Sequence, residues 1–138
     1  MKVLFLDIDG VCNCSETRQR HRGFIGIDPM MAFLVGKITL AIPDLKVVLS
    51  SSWRHFPEGK EEVEKQVVPI FDETPIVNGE KRGNEIKAWL DKHPDVEKYA
   101  ILDDDSDMLE EQLPNFFQTT WQVGITEEIM EKVINHLK

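Results

Sequence analysis

Short apolar runs alternate with longer amphipathic stretches along the whole chain. Each apolar run has the length of a buried strand, and polar or turn-forming residues bound it. The runs predict four buried strands: Val3–Leu6, Lys46–Leu49, Tyr99–Leu102 and Phe116–Thr120. The stretches between them have the spacing of amphipathic helices and carry recognisable helix ends.

The clearest helix signal is Asp28-Pro29, an N-cap residue followed by a proline in the first turn. That helix should end near Ala41, before Pro43. Further helices are predicted at Glu58–Val67, Glu85–Lys92, Ser106–Gln112 and Thr126–Leu137. Residues 10–27 are predicted to form a long loop, and residues 68–80, which include Asn78-Gly79, a loop or a weak pair of strands.

Strands that alternate with helices are typical of an α/β fold, a doubly wound parallel sheet with helices on both faces. The length of 138 residues fits a single domain spanning 1–138. In such sheets, ligands bind where the carboxyl ends of neighbouring strands meet.

Three of the four predicted strands end in polar clusters. These are Asp7-x-Asp9, Ser50-Ser51-Ser52 and Asp103-Asp104-Asp105. If the strands are neighbours, the clusters share one crevice. Carboxylates gathered in this way need a compensating cation, and ligands that are all oxygen atoms favour Mg²⁺.

The other polar residues favour phosphoryl chemistry. A hydroxyl at a strand end, from either Ser50 or Ser51, would hold a phosphate oxygen. A cation at a helix start, either Lys81 or Arg82, would neutralise another. A metal, a cation, hydrogen-bond donors and an aspartate nucleophile are together the requirements of phosphoryl transfer.

Charge and composition limit the possible partners. The net charge is −9, so bulk electrostatics do not favour a nucleic-acid backbone, although a basic cluster lies in the loop after Asp9: Arg18, Arg20, His21 and Arg22. The apolar runs are too short to span a membrane or to form the core of a signal peptide, and we expect a cytoplasmic protein. Cys12 and Cys14 are expected to be reduced thiols.

Four segments, in chain order, resemble the motifs of the haloacid dehalogenase (HAD) superfamily of phosphatases: VLFLDIDGV, VVLSSSWR, EKRGNEI and YAILDDDSD. The resemblance spans residues 3 to about 107. It implies that Asp7 is the nucleophile and Asp9 the general acid and base. It implies that Ser50 or Ser51 binds the phosphoryl group and that Lys81 or Arg82 stabilises it. The implied Mg²⁺ ligands are Asp7, the carbonyl of Asp9, Asp103 and Asp104.

Members of this superfamily usually select substrates with an inserted cap domain. The stretches from Gly10 to Asp28 and from Arg54 to Arg82 are too short for one. An open site suits a large substrate. The strings SSSWR and RGNEIKAWL also resemble HAD domains attached to RNA-repair proteins and, more loosely, the phosphatase half of phage polynucleotide kinase-phosphatase. We therefore expect a phosphorylated substrate such as a polynucleotide 3′-phosphate end.

Substrate binding is assigned to Gly10 and Arg54, with the basic loop at 18–22 as a second place for a phosphate. Three alternatives stay open: a small-molecule phosphatase for nucleotides or sugars, a phospho-receiver signalling domain, and a catalytically silent binding module. The order of the motifs argues against the receiver, in which the phosphorylated aspartate follows a later strand than the acidic pair. The sequence leaves the oligomeric state open.

Overall fold

The computed structural model describes residues 1–77, 79 and 81–138. The strands are β1 (Lys2–Leu6), β2 (Arg20–His21), β3 (Phe24–Ile25), β4 (Lys46–Leu49), β5 (Asp72–Glu73), β6 (Lys98–Asp103) and β7 (Phe116–Gln118). The α-helices are α1 (Pro29–Ala41), α2 (Pro57–Gln66), α3 (Arg82–Asp91) and α4 (Glu127–Leu137). Two 3-10 helices, η1 (Ser52–His55) and η2 (Glu110–Asn115), complete the elements.

Five of the strands form one sheet in the order β5-β4-β1-β6-β7, and every neighbouring pair is parallel. The central strand is β1, in which Leu6 pairs with Leu49 on one side and Leu102 on the other. The residues that follow these three leucines therefore lie at the same edge of the sheet. This arrangement confirms the predicted parallel α/β sheet and the adjacency of its three polar strand ends.

The sheet buries both of its faces, which is why its strands are almost continuously apolar. Leu4 and Leu6 of β1 point into a larger core that includes residues of α1 and α4. Val3 and Phe5 point to the opposite face, into a smaller core shared with α3. Helices thus cover both sides, and the doubly wound prediction is confirmed.

Most predicted helices are present with small shifts at their ends. Helix α1 has the predicted bounds, with the Asp28 carboxylate accepting bonds from the backbone N–H groups of Met30 and Met31. Thr126 caps α4 in the same manner. Helix α2 begins one residue early at Pro57, and α3 begins three residues early at Arg82.

The predicted helix at Ser106–Gln112 is wrong, because residues 105–109 are irregular and η2 begins only at Glu110. Aspartate side chains in and next to this stretch accept hydrogen bonds from backbone N–H groups outside the predicted helix. Asp103 accepts from the N–H of Asp105, and Asp107 accepts from the N–H of Arg82. The bond between Asp103 and the N–H of Asp105 is of the local kind that competes with helix formation, as is usual for aspartate.

The loop predicted at residues 10–27 contains a small antiparallel hairpin, β2–β3, and no cap domain is found among the described residues. In the stretch 68–80, β5 pairs with β4 and adds an edge strand to the sheet. The turn predicted at Asn78-Gly79 lies partly outside the described residues, since Asn78 is not among them. No helix in the described part of the chain has the length and apolar character needed to cross a membrane.

Replacing Asp28 with alanine should lower the free energy of unfolding by about 1 kcal/mol, because the first turn of α1 loses its cap. Chemical denaturation measured by circular dichroism checks this value. Asp91→Ala is the matched control, since Asp91 is exposed and pairs only with Lys87 on the same helix, an interaction of about 0.3–0.5 kcal/mol. Equal losses in the two variants would contradict the capping role.

Candidate active site

Asp7 directly follows the central strand β1, which β4 and β6 flank on its two sides. Its backbone N–H donates to the Leu102 carbonyl at 3.0 Å, which extends the β1–β6 ladder by one bond. The carboxylate is buried. A charged group in this position is costly to desolvate unless other groups compensate it.

Asp7, Asp103 and Asp104 form an acidic cluster at the ends of β1 and β6. One carboxylate oxygen from each lies within 4.8 Å of the others. Burial, and then the negative charge of Asp103, raise the pKa of Asp7 well above its ordinary value. Burial and Asp103 also raise the pKa of Asp104. The cluster therefore favours any group that brings positive charge.

Arg82, the first residue of α3, brings positive charge to this cluster. Its Nη1 lies 3.0 Å from Asp7 Oδ1 and 2.8 Å from Asp103 Oδ2. Burial lowers the pKa of Arg82, but Asp7 and Asp103 raise it more, so the net pKa is higher than usual and the guanidinium stays charged. Of the two cations left open by the sequence, Arg82 is the one that reaches Asp7, while Lys81 is the exposed N-cap residue of α3.

The acidic cluster fits a hard divalent cation. Its donors are all carboxylate oxygens, they converge within a single ion's reach, and one arginine cannot balance three negative charges. The residues present would therefore hold Mg²⁺ through Asp7, Asp103 and Asp104. The backbone carbonyl of Asp9, the fourth predicted ligand, stays a prediction.

Ser50 and Ser51, which the sequence left as alternatives, occupy different environments. Ser50 directly follows β4, and its N–H donates to the Leu6 carbonyl at 3.0 Å, which brings it close to Asp7 at the strand tips. Its hydroxyl is buried without a hydrogen-bond partner among the described residues. Ser51 Oγ instead accepts from the Trp53 N–H and caps η1. An unpaired buried hydroxyl is an open position for a ligand oxygen.

Asp9 stands two residues beyond Asp7 and is held by neutral donors. Asn13 Nδ2 donates to Asp9 Oδ1 at 2.9 Å, and Trp53 Nε1 donates to the same oxygen at 3.2 Å. Both bonds fix one oxygen of the carboxylate. The carboxylate also lines a cleft beside the strand tips.

Asn13 is a buried residue that the sequence reasoning missed. Besides Asp9, its Nδ2 donates to the Gly26 carbonyl, and its Oδ1 accepts from the Gly10 N–H at 2.9 Å. Asn13 therefore joins the strand tip to the far end of the 10–27 loop. The available signal was a short amide side chain four residues after Asp9, in a loop that must turn back on itself.

Gly10 was assigned to substrate binding, and the structure places it against Asp104. Its φ is +83°, and a Cβ atom there would lie 2.1 Å from Asp104 Oδ2. Any side chain at position 10 would displace that carboxylate from the acidic cluster. The absence of a side chain thus allows the two strand tips to approach.

Arg54, the other residue assigned to substrate binding, is buried and turned inward. Its guanidinium donates to the carbonyls of Ser50, Ser51, Thr74 and Pro75 and to Glu85 Oε1. These bonds use all five of its N–H groups. Arg54 therefore fixes the loop after β4 to α3 and offers no free donor to a phosphate, which corrects the expected direct contact.

A cleft of about 710 Å³ opens beside Asp9. Its walls come from the β2–β3 hairpin, from η1 and the start of α2, and from the turn after β7. The aromatic residues that line it are His21, Phe24, Trp53, Phe56 and Trp121. Both Trp53 and Trp121 line this cleft.

The basic run at 18–22 is partly engaged in the protein's own bonds. Arg20 donates to the Thr17 and Gln19 carbonyls, His21 pairs with Glu62 at 2.9 Å, and Arg22 pairs with Glu58 at 3.5 Å. Of the run, His21 and Arg22 line the cleft. These contacts anchor the hairpin to α2.

Cys12 and Cys14 are buried free thiols, as expected from the sequence. Burial, followed by the charges of Asp7 and Asp9, raises the pKa of Cys12 far above its usual value. A thiol in that state is a poor nucleophile. Asp7 therefore has no competing sulfur nucleophile at position 12.

Comparison with known proteins agrees with this geometry. A search of curated proteins finds no match. A family model described as the HAD domain in Swiss Army Knife RNA repair proteins matches residues 3–130, which includes every strand of the sheet and all the residues of the acidic cluster. The chain belongs to this family of HAD domains.

Proposed function

We propose that this protein is a magnesium-dependent phosphomonoester hydrolase that forms an aspartyl-phosphate on Asp7. The observation that carries the proposal is the position of Asp7, at the tip of the central strand, between the Arg82 guanidinium and the carboxylates of Asp103 and Asp104. HAD domains are in general hydrolases, most often phosphatases, and the family match supports that reaction class.

In the first step, an oxygen of Asp7 attacks the phosphorus of the substrate as the bond to the leaving oxygen breaks. Asp9 donates a proton to that oxygen, so the leaving group departs as an alcohol. We expect Arg82 and the Ser50 hydroxyl, which has no hydrogen-bond partner among the described residues, to hold the phosphoryl oxygens. The product of this step is a phosphate ester of the Asp7 carboxylate.

In the second step, Asp9, now ionised, takes a proton from a water molecule that attacks the same phosphorus. The bond between Asp7 and phosphorus breaks, inorganic phosphate leaves, and Asp9 is protonated again for the next cycle. The bonds from Asn13 and Trp53 keep Asp9 in one orientation through both transfers. Neither donor carries a charge that would compete for the proton.

Mg²⁺ bound by the acidic cluster would neutralise the carboxylates and the charge on the phosphoryl group. Within the protein, Asp107 supports the arrangement by accepting the backbone N–H of Arg82 at 3.1 Å, which fixes the start of α3. Arg82 is then oriented toward Asp7 from the helix N-terminus, where anions are favoured. Lys81 and Ser51 take supporting places beside Arg82 and Ser50.

The substrate we favour is a polynucleotide end that carries a 3′-phosphate. The matching family consists of HAD domains in RNA repair proteins. The described residues form no cap that would exclude a large substrate. The exposed Arg18 lies in the loop that leaves Asp9, and Arg22 of the same loop lines the cleft but pairs with Glu58. We expect Arg18 to supply the positive charge that a flanking phosphate would meet.

A mononucleotide is the second candidate substrate. The net charge of −9 repels a polyanion more strongly than a single phosphate ester. The receiver-domain alternative is weaker, because the aspartate between Arg82 and the acidic cluster follows the first strand. A silent binding module would have no need of Asp9 beside Asp7.

Asp7→Asn should reduce kcat by several orders of magnitude, as expected when a central catalytic group is removed. The amide keeps the shape of the side chain but removes the nucleophile and one metal-binding charge. Turnover of an aryl phosphate with Mg²⁺ measures the effect, with Asp91→Asn as a surface control. Activity within tenfold of the wild type would exclude Asp7 as the nucleophile.

Asp9→Asn should slow hydrolysis most for substrates with basic leaving groups, which need the proton most. Aryl phosphates with acidic phenols should lose the least in formation of the phospho-enzyme. Asn at this position still offers an oxygen to Asn13 and Trp53, so its orientation is retained. A series of leaving groups checks the trend, and an equal loss across the series would argue for a purely structural role.

Mg²⁺ should raise the melting temperature more at about pH 7 than at about pH 5. The pKa of Asp7 is raised from its ordinary 3.8, first by burial, so the folded protein holds a proton that the unfolded chain releases. Without the cation, this stability is present at low pH and is lost as pH rises toward the raised pKa. Cation binding to the ionised cluster reverses that loss.

Differential scanning calorimetry at the two pH values measures this difference. Asp104→Ala should weaken the Mg²⁺ effect, whereas the exposed Asp105→Ala should leave it unchanged. Ca²⁺ should bind and stabilise but not support turnover, because its coordination is longer and looser. Full activity in excess chelator would overturn the metal assignment.

A further inference from the structure

Three of the aromatic residues that line the cleft beside Asp9 are exposed. Phe24 is 77% exposed, Phe56 is 60% exposed and Trp121 is 37% exposed. The three residues come from three separate parts of the chain and converge on one cavity. Large apolar side chains gathered in this way, on a small protein, mark a binding surface.

The position of the cleft assigns it to the leaving-group side of the site. Asp9 lines it, and the Nε1 of Trp53 in its wall bonds to Asp9 Oδ1 at 3.2 Å. The carboxylate that protonates the departing oxygen must lie next to that oxygen. Whatever is attached to the oxygen therefore extends from Asp9 into the cleft.

The chemistry of the walls selects a flat, uncharged ring. Arg22 and Glu58, the charged pair on the rim, neutralise each other, so the cleft offers little net attraction to a further anion. His21 stacks on Trp53 with ring centroids 5.3 Å apart and planes 23° from parallel, which already places two rings in stacked geometry. Aromatic walls bind bases through stacking, and sugars without a base gain far less.

The cleft is also held in shape before any ligand binds. The hairpin wall is tied to α2 by the pairs His21–Glu62 and Arg22–Glu58. On the other wall, Gly59 allows α2 to approach the backbone of Trp53, where a Cβ atom would lie 2.2 Å from the Trp53 carbonyl oxygen. A preformed cleft reduces the ordering cost of binding.

We infer that this cleft binds the nucleobase of the nucleotide whose phosphate is removed. The inference rests on the proposed function and names the group that the site recognises. The same ring chemistry is present in a mononucleotide and in the end of an oligonucleotide. Stacking in the cleft serves binding and leaves the chemical step to Asp7 and Asp9.

The test compares adenosine 3′-monophosphate, a short oligonucleotide with a 3′-phosphate, and ribose 5-phosphate, which lacks a base. Phe24→Ala and Trp121→Ala should each raise KM for both nucleotides about tenfold. In both variants kcat should stay within about twofold of the wild type, as expected for lost binding alone. The kcat/KM for ribose 5-phosphate should not change. Phe33→Ala is the matched control, an exposed phenylalanine on α1 outside the cleft.

A second readout does not depend on turnover. Adenosine should quench tryptophan fluorescence in the wild type, and Phe24→Ala should weaken that binding about tenfold. If phosphate esters are not hydrolysed, the proposed function fails, and this titration still decides whether the cleft binds a base. Four outcomes would each overturn the inference. They are unchanged KM values for the nucleotides, an equal loss of kcat/KM for ribose 5-phosphate, a larger effect of the substitutions on a phosphotyrosine peptide, and no adenosine binding.

A loss confined to the oligonucleotide would assign the cleft to a base other than that of the nucleotide whose phosphate is removed, and would overturn the inference. An equal loss for the mononucleotide would support the same cleft in a nucleotide phosphatase.

Discussion

The contact of Arg82 with both Asp7 and Asp103 is the interaction on which the site depends. The parallel sheet brings the ends of β1 and β6 together, and with them three carboxylates that repel one another. Arg82 compensates part of that charge from the start of α3, a helix that packs on the smaller core of the sheet. The fold creates the electrostatic cost, and the same fold supplies a cation to reduce it.

The arginine also leaves the compensation incomplete. Its single charge faces three carboxylates, so the pKa values of Asp7 and Asp104 remain raised. Under the proposed function, a site in this condition would attract a second cation and, once neutral, would tolerate a phosphoryl group. Incomplete compensation of the carboxylate charge distinguishes a candidate functional site from a structural ion pair, in which the charges balance.

The sequence predicted the sheet and its polar edge because both follow from local patterns. Strand β1 is a short apolar run that stops at Asp7, and Asp28-Pro29 starts α1 as its chemistry requires. The choices between Ser50 and Ser51, and between Lys81 and Arg82, could not be made this way. They depend on which residue follows the last paired position of a strand and which faces the cluster, and tertiary packing fixes both.

Contacts between residues far apart along the chain also could not be predicted from the sequence. The sequence assigned Arg54 to substrate binding, but the residue is buried among carbonyl groups from two loops. The cleft is assembled from rings that are far apart along the chain, so no window of sequence contains it. The Ser106–Gln112 error reflects contacts outside this segment: Asp103 accepts the N–H of Asp105 just before it, and Asp107 accepts the N–H of Arg82 at the start of α3.

The five bonds of Arg54 have a mechanical consequence. They connect the backbone of Ser50 and Ser51 to Glu85, which belongs to the same helix as Arg82. The hydroxyl and the guanidinium on either side of Asp7 are thereby parts of one braced unit, although they come from different strands and loops. A lysine at position 54 could supply the charge but not five donors in a plane, so the distance between the Ser50 hydroxyl and the Arg82 guanidinium would no longer be fixed.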